Sequence, residues 1–207
     1  NAVDVTAGTG RWVRGGNGLL EWLDKSDNNF RSHATTFIAL RGVGYVSDNI
    51  LLAIIQKGAP LEFNIAPKGE PARLAGSELL EGAIRYGKAD LFRKLVERGW
   101  LRRADKSELG HEFAARGAGC NPDLVDAAID AGIPVDAETS SNPRQSFYES
   151  RQQPYPAKQT ALARLGSEYV FCKNGALRVA TAKRLLERGA DPNHQDINGQ
   201  TPIYMEV

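Results

Sequence analysis

Short amphipathic phrases ending in glycine recur along the chain. They are Leu51-Leu52-Ala53-Ile54-Ile55-Gln56-Lys57-Gly58, Leu91-Phe92-Arg93-Lys94-Leu95-Val96-Glu97-Arg98-Gly99, Leu124-Val125-Asp126-Ala127-Ala128-Ile129-Asp130-Ala131-Gly132 and Ala182-Lys183-Arg184-Leu185-Leu186-Glu187-Arg188-Gly189. Apolar residues three and four apart give a helix one apolar face, and a closing glycine lets the chain leave through a left-handed conformation. The pattern predicts four short helices, each with a face that another element must cover.

Several of these helices have a predicted partner just upstream. Ser77–Gly87 reads as a helix joined through a turn at Gly87 to the one ending at Gly99, an antiparallel hairpin. From Asp105 to Gly132 a second pair is marked by its start signals. Asp105-Lys106-Ser107-Glu108 has capping-box spacing, and Asn121-Pro122-Asp123 offers an N-cap, a proline at the first helical position and an acid in the first turn. Asp196-Ile197-Asn198-Gly199-Gln200 is a turn ahead of a capping Thr201 and Pro202. Asn17–Asp24 reads as a first, capping helix, because the end units of a stack must shield it.

Residues 182–203 resemble the ankyrin-repeat consensus, from its second helix through the Thr-Pro opening of the next repeat. Residues 77–99 resemble the two-helix half, with the family's glycine at Gly87, twelve before Gly99. Residues 107–136 are a degenerate match with Cys120 at that glycine's place, and residues 33–63 are weaker still. The closing glycines are 41, 33 and 57 residues apart, and only the middle interval equals the 33-residue ankyrin period. Insertions are therefore expected. Lys158-Gln159-Thr160-Ala161-Leu162 resembles a repeat opening with Ala161 in place of proline, and Tyr169–Gly175 is expected to lengthen the following helices or their turn. The resemblance implies an all-α, ankyrin-like solenoid of stacked helix-turn-helix pairs with long inter-repeat loops. Residues 1–30 would form an arm and capping helix, and 31–207 an array of four to five pairs that either is capped at Val207 or continues in a larger protein.

Composition narrows the function. With 26 basic against 25 acidic residues the formal charge is +1, which provides no global field for a nucleic acid. No apolar run approaches the roughly 20 residues that span a bilayer, so membrane insertion is not expected. The chain opens Asn1-Ala2-Val3-Asp4 without a leader, consistent with a signal peptide that is removed or was never there. The compartment stays open between bacterial cytoplasm and periplasm. Cys120 and Cys172 form no metal-binding spacing; two idle thiols are the expectation and a mutual disulfide the alternative.

Candidate chemistry is sparse. His33, His111 and His194 are scattered, and the His111-Glu112 start of a zinc-protease motif lacks its second histidine because position 115 is Ala115. The glycine-rich stretch Gly8–Gly18 lacks a phosphate-loop ending and reads as a flexible arm. Asp123, Asp126 and Asp130 lie at helical spacing as a solvated face, with no acid–base role. No catalytic residue, metal or cofactor is assigned.

The informative irregularity is the insertion 137–157. It is rich in turn-forming residues yet carries Arg144, Phe147, Tyr148, Arg151 and Tyr155. Long loops in compact chains carry function or are disordered, and Tyr and Arg are favoured interface residues. These five are the predicted partner-binding residues; the shorter stretch Asn64–Arg73 reads as a spacer. The expected function is a protein–protein interaction module that binds and blocks a specific protein, such as a cognate toxin or enzyme. Two alternatives stand beside it: an enzyme or small-ligand receptor using His111 or Cys172 between the N-terminal segment and the array, and a structural adaptor within a larger ankyrin protein.

Overall fold

The structure is a computed structural model that describes residues 2–4, 11–13, 43–44, 46–56, 61–62, 64, 74–139, 158–167, 170 and 172–203. The chain forms two compact units, Asn1–Ala75 and Gly76–Val207. In the first, β1 (Ala2–Asp4) pairs antiparallel with β2 (Arg11–Val13), Val3 opposite Trp12, so the stretch expected to be a flexible arm contains a paired ribbon. The expected helix before Gly58 is present as α1 (Asp48–Gln56), with Leu51 and Ile55 fully buried one turn apart. Asn64 and Leu74 form an antiparallel bridge at the two ends of the predicted spacer. Gly58 and the expected capping helix at 17–24 lie outside the described residues.

The second unit is a run of three helix pairs. They are α2 (Ala75–Arg85) with α3 (Ala89–Glu97), α4 (Lys106–Ala115) with α5 (Pro122–Asp130), and α6 (Ala161–Leu165) with α7 (Gly175–Glu187). Short 3-10 turns follow α3 at Trp100–Arg102 and α4 at Ala118–Cys120. Helix is thus the dominant structure of the described residues. Helices α3 and α5 have nine residues each, too few to persist alone in water, so packing must stabilise them. Neighbours along the chain supply it: α3 packs on α5, α5 on α7, α4 on α6, and α6 on α7. Leu80, Ile84, Leu91, Phe92, Leu95, Leu109, Phe113, Leu124 and Val125 are completely enclosed. Each such side chain contributes roughly 1.5–3 kcal/mol of hydrophobic stabilisation.

The predicted start and stop signals are used. Asp105 accepts a hydrogen bond from Ser107 N at 2.9 Å and Asn121 from Asp123 N at 2.9 Å; Asn174, not anticipated from the sequence, caps α7 by accepting from Leu177 N at 2.8 Å. At Gly132 and Gly189 the helices end in the paired bonds of a left-handed cap, Ile133 N to Ala128 O and Ala190 N to Leu185 O, both 3.0 Å. The backbone is left-handed there, with φ +91° and +92°.

At Gly87 the same cap joins α2 to α3, with φ +66°. Thirty-three residues on, Cys120 takes the equivalent conformation, φ +50°, although it carries a side chain. A left-handed residue with a Cβ costs roughly 1–2 kcal/mol. The expectation of two idle thiols is corrected here, because Cys120 is bonded to Cys172 in a disulfide. The extra residues between α6 and α7 bring Cys172 back to the Ala118–Cys120 turn, placing the two Cα atoms 5.4 Å apart.

A second correction concerns the acidic face of α5. Asp126 and Asp130 accept from Arg188 at the end of α7, at 3.1 and 2.5 Å, and Arg184 lies 3.6 Å from Asp126. The hydrogen bond that Arg188 donates to Asp130 raises the Arg188 pKa above its ordinary value against the opposing effect of burial, and the charges of Asp130 and Asp126 add to the rise. The acids are a junction between pairs, which single-helix spacing could not reveal.

The disulfide closes a long loop across two helix pairs, so its loss should destabilise the unit by about 2–4 kcal/mol. Urea unfolding of Cys120→Ser/Cys172→Ser, and of the wild-type chain with and without a thiol reductant, checks this. The reductant should lower the wild-type midpoint and leave the variant's unchanged.

Candidate functional site

The insertion is described through its two ends. Thr139 N donates to Gln159 O at 2.9 Å, Lys158 N to Thr139 O at 2.9 Å, and Gln159 N to Thr139 Oγ1 at 3.0 Å. The turn after α7 repeats much of this arrangement. Asp196 N donates to Gln200 O at 2.9 Å, and Gln200 N to Asp196 Oδ1 at 2.9 Å. Thr139 therefore stands where Asp196 stands, Gln159 where Gln200 stands, and Lys158, with φ +64°, where Gly199 has φ +74°. Between Asp196 and Gly199 the chain has only Ile197 and Asn198; between Thr139 and Lys158 it has residues 140–157. The insertion thus leaves from a turn position whose closing hydrogen bonds are kept.

Its base is held from below by buried polar groups. Gln159, 3% exposed, donates through Nε2 to Asp196 Oδ2 at 3.4 Å and accepts from Arg164 Nη1 at 3.2 Å. Arg164, also 3% exposed, donates through Nε to Ala115 O at 3.4 Å, reaching the end of α4. Thr160 caps α6 by accepting from Ala163 N at 3.4 Å. On the neighbouring connection, Asp136 accepts from Asp191 N at 3.1 Å, and His194 Nε2 lies 3.1 Å from Glu138 Oε1. Gln159 and Asp196 are hydrogen-bonded inside this network, which stiffens the support, since either side chain would be costly to leave unpaired.

A second ionisable cluster lies between α2 and α4. Arg85 grips Glu112 with two hydrogen bonds, Nη2 to Oε1 at 2.7 Å and Nε to Oε2 at 3.3 Å, while Arg116 Nε reaches Oε2 at 3.4 Å. The Arg85 and Glu112 side chains are 8% and 6% exposed. Burial pushes the Glu112 carboxyl upward, but the charge and hydrogen bonds of Arg85, with smaller help from Arg116 and His111, outweigh it and hold the carboxyl below its ordinary value of 4.5. This cluster locks one helix pair to the next.

Arg144, Phe147, Tyr148, Arg151 and Tyr155 lie outside the described residues. Of the alternative pair, Cys172 is consumed by the disulfide and is no free nucleophile, while His111 is buried beside Glu112 in the ion-pair cluster. His33 lies outside the described residues. Among the described residues no group of three or more His, Cys, Asp and Glu is placed to hold a metal, and no helix is long and apolar enough to cross a membrane. Sequence reading missed Gln159, Arg164 and Asp196 as a network. The available signal was the repeated Gln-Thr at 159–160 and 200–201, which fixes the register of the two turns. No protein-family model and no curated protein matches this chain.

A depressed carboxyl stabilises the folded state at pH values above its unfolded pKa, and that contribution disappears as pH falls through the lower folded value. Stability should therefore fall below about pH 4.5, and Glu112→Gln should flatten that acid limb while lowering stability at neutral pH. Arg85→Ala leaves Glu112 buried with much of its compensation gone and should cost about 3–5 kcal/mol at pH 7. Denaturant titrations of the three chains between pH 3 and 7 measure both effects.

Proposed function

We propose that the chain is a protein-binding module built as an ankyrin-type stack, and that it binds and blocks a specific protein partner, such as a cognate toxin or enzyme, through the insertion 137–157. The observation that carries this reading is the root of the insertion. The two ends of the insertion keep the closing bonds of a two-residue turn, on a base cross-braced by Gln159, Arg164 and Asp196, so a long connection is accommodated there without loss of the bonds that hold its root. Arg144, Phe147, Tyr148, Arg151 and Tyr155 supply the contact chemistry, joining large rigid area to hydrogen-bonding tips. Stacked helix pairs suit the role because each pair contacts only its neighbours, so connections vary while the scaffold stays fixed. Inhibition by occupation follows from such an interface and needs no reactive group.

The test is affinity capture from the source cell with the intact chain and with a variant in which residues 140–157 are replaced by Ile-Asn, the residues at 197–198. The intact chain should retain a stoichiometric protein, and the variant should lose it while melting no lower than the intact chain. Tyr148→Ala and Arg151→Ala should each weaken the purified complex by about 2 kcal/mol, roughly thirtyfold in Kd. Equal capture by the shortened variant refutes the role of the insertion.

A further inference from the structure

We propose that the cleft between the C-terminal end of α3 and the Trp100–Arg102 turn is a docking site for an acidic peptide segment of a protein partner. This deepens the protein-binding reading and rests on it. The first observation is the connection itself. From the closing glycine to the next helix cap the chain runs from Gly132 to Thr160 and from Gly189 to Thr201, but only from Gly99 to Asp105 at the first junction. Where the later junctions are longer and close through hydrogen bonds to the turns at Thr139 and Asp196, the first has only a 3-10 turn beside a shallow cavity of about 390 Å³, lined by Val96, Glu97, Arg98, Gly99, Leu101 and Arg102.

The second observation is charge. Residues 93–106 contain Arg93, Lys94, Arg98, Arg102, Arg103 and Lys106 against Glu97 and Asp105, in a chain whose total is +1. The nearby acids are already engaged: Asp90 by Arg93 at 2.9 Å, Glu97 by Lys94 at 2.7 Å, and Asp105 in capping α4. Arg98 and Arg102 are exposed on the cavity wall, and no described carboxylate pairs with either. Helix-dipole attraction accounts for Arg98 at the end of α3, but it opposes Lys106 in the first turn of α4.

The third observation is rigidity. Trp100 is 5% exposed and lies so close on Gly76 that a Cβ there would enter its ring, and the Arg103 guanidinium sits over the ring, 5.1 Å from the centroid. Ala104 N and Arg103 N both donate to Trp100 O, at 3.1 and 3.0 Å. The guanidinium-bearing backbone is therefore fixed before a partner arrives, which reduces the entropic cost of binding. An acidic peptide fits this site better than the other polyanions. The aromatic ring is covered and offers bases no stacking surface, and the wall is a few residues wide rather than a tract along a groove.

The probe is a fluorescein-labelled deca-glutamate peptide titrated with the full chain by fluorescence anisotropy. Saturable binding that weakens as salt is raised is expected, with a loss of roughly tenfold or more in Arg98→Glu/Arg102→Glu and no loss in Arg178→Glu/Lys183→Glu on α7. Arg98→Gln/Arg102→Gln gives the same reading, with a smaller loss, should charge reversal disturb folding. No saturable binding, equal affinity in the Arg98/Arg102 variants, or tighter binding of oligo-uridine or phosphatidylserine vesicles to the same arginines overturns the proposal. The variant shortened at 140–157 should keep the peptide. Loss of captured partner in that variant, together with failure of the peptide assay, removes the arginine site and leaves the protein-binding reading standing.

Discussion

A backbone-to-backbone contact sets the spacing of the first two helix pairs. Gly87, in the turn between α2 and α3, lies against Gly119, in the turn between α4 and α5, so closely that a Cβ on either would enter the other's main chain. Asn121, already the N-cap of α5, donates through Nδ2 to Gly87 O at 2.7 Å and fixes the same approach from the side. With the turns held at this distance, α3 meets α5 along its apolar face, and Arg85 at the end of α2 reaches Glu112 in α4. A bulkier turn would wedge the pairs apart and strand Glu112 in a dry site, where an unpaired carboxylate is costly.

The junction between the second and third pairs solves the same problem with different chemistry. Among the described residues no second glycine pair holds those turns together. The disulfide from Cys120 to Cys172 spans the gap, and Arg188 binds two carboxylates of α5 on the far side. The short α6 gains from this arrangement, because its five residues cannot form a persistent helix alone. Thr160 caps its start, Arg164 ties it to Ala115 O, and its packing on α4 and α7 closes it in. Covalent and polar ties thus replace the buried area that a longer helix would have contributed.

Legibility in the sequence followed the range of the interaction. Helix existence, the caps at Asp105 and Asn121, and the left-handed exits at Gly99, Gly132 and Gly189 were readable, because each depends on residues within one or two turns. Cys120, twelve residues before Gly132, has a left-handed backbone that glycine adopts more readily, as Gly87 does twelve residues before Gly99. Its bond to Cys172 was not readable, since the two meet only after the α6–α7 connection folds back over the Ala118–Cys120 turn. Asp126 and Asp130 looked like a solvated face for the same reason, their partner Arg188 being at the end of another helix, 62 and 58 residues away respectively. The β1–β2 ribbon was missed because glycine-rich composition outweighed two three-residue runs, Ala2–Asp4 and Arg11–Val13, too short to register as strands.

Connection length is the variable that this scaffold leaves open, and loop physics explains why. Replacing the two residues between Asp196 and Gly199 by the segment between Thr139 and Lys158 lengthens the loop roughly ninefold, a closure cost of about 2 kcal/mol. The hydrogen bonds retained by Thr139, Lys158 and Gln159 and the buried Gln159–Arg164 contact are of a size to offset it. The opposite change, contraction to the few residues from Gly99 to Asp105, removes closure cost but also removes the residues that would cover the end of α3. Trp100 fills part of that space by packing on Gly76, and the arginines beside it stay in solvent. Both departures leave the helix faces and inter-pair spacing untouched, so variation collects on the connections between pairs, where surface chemistry can change without disturbing the core.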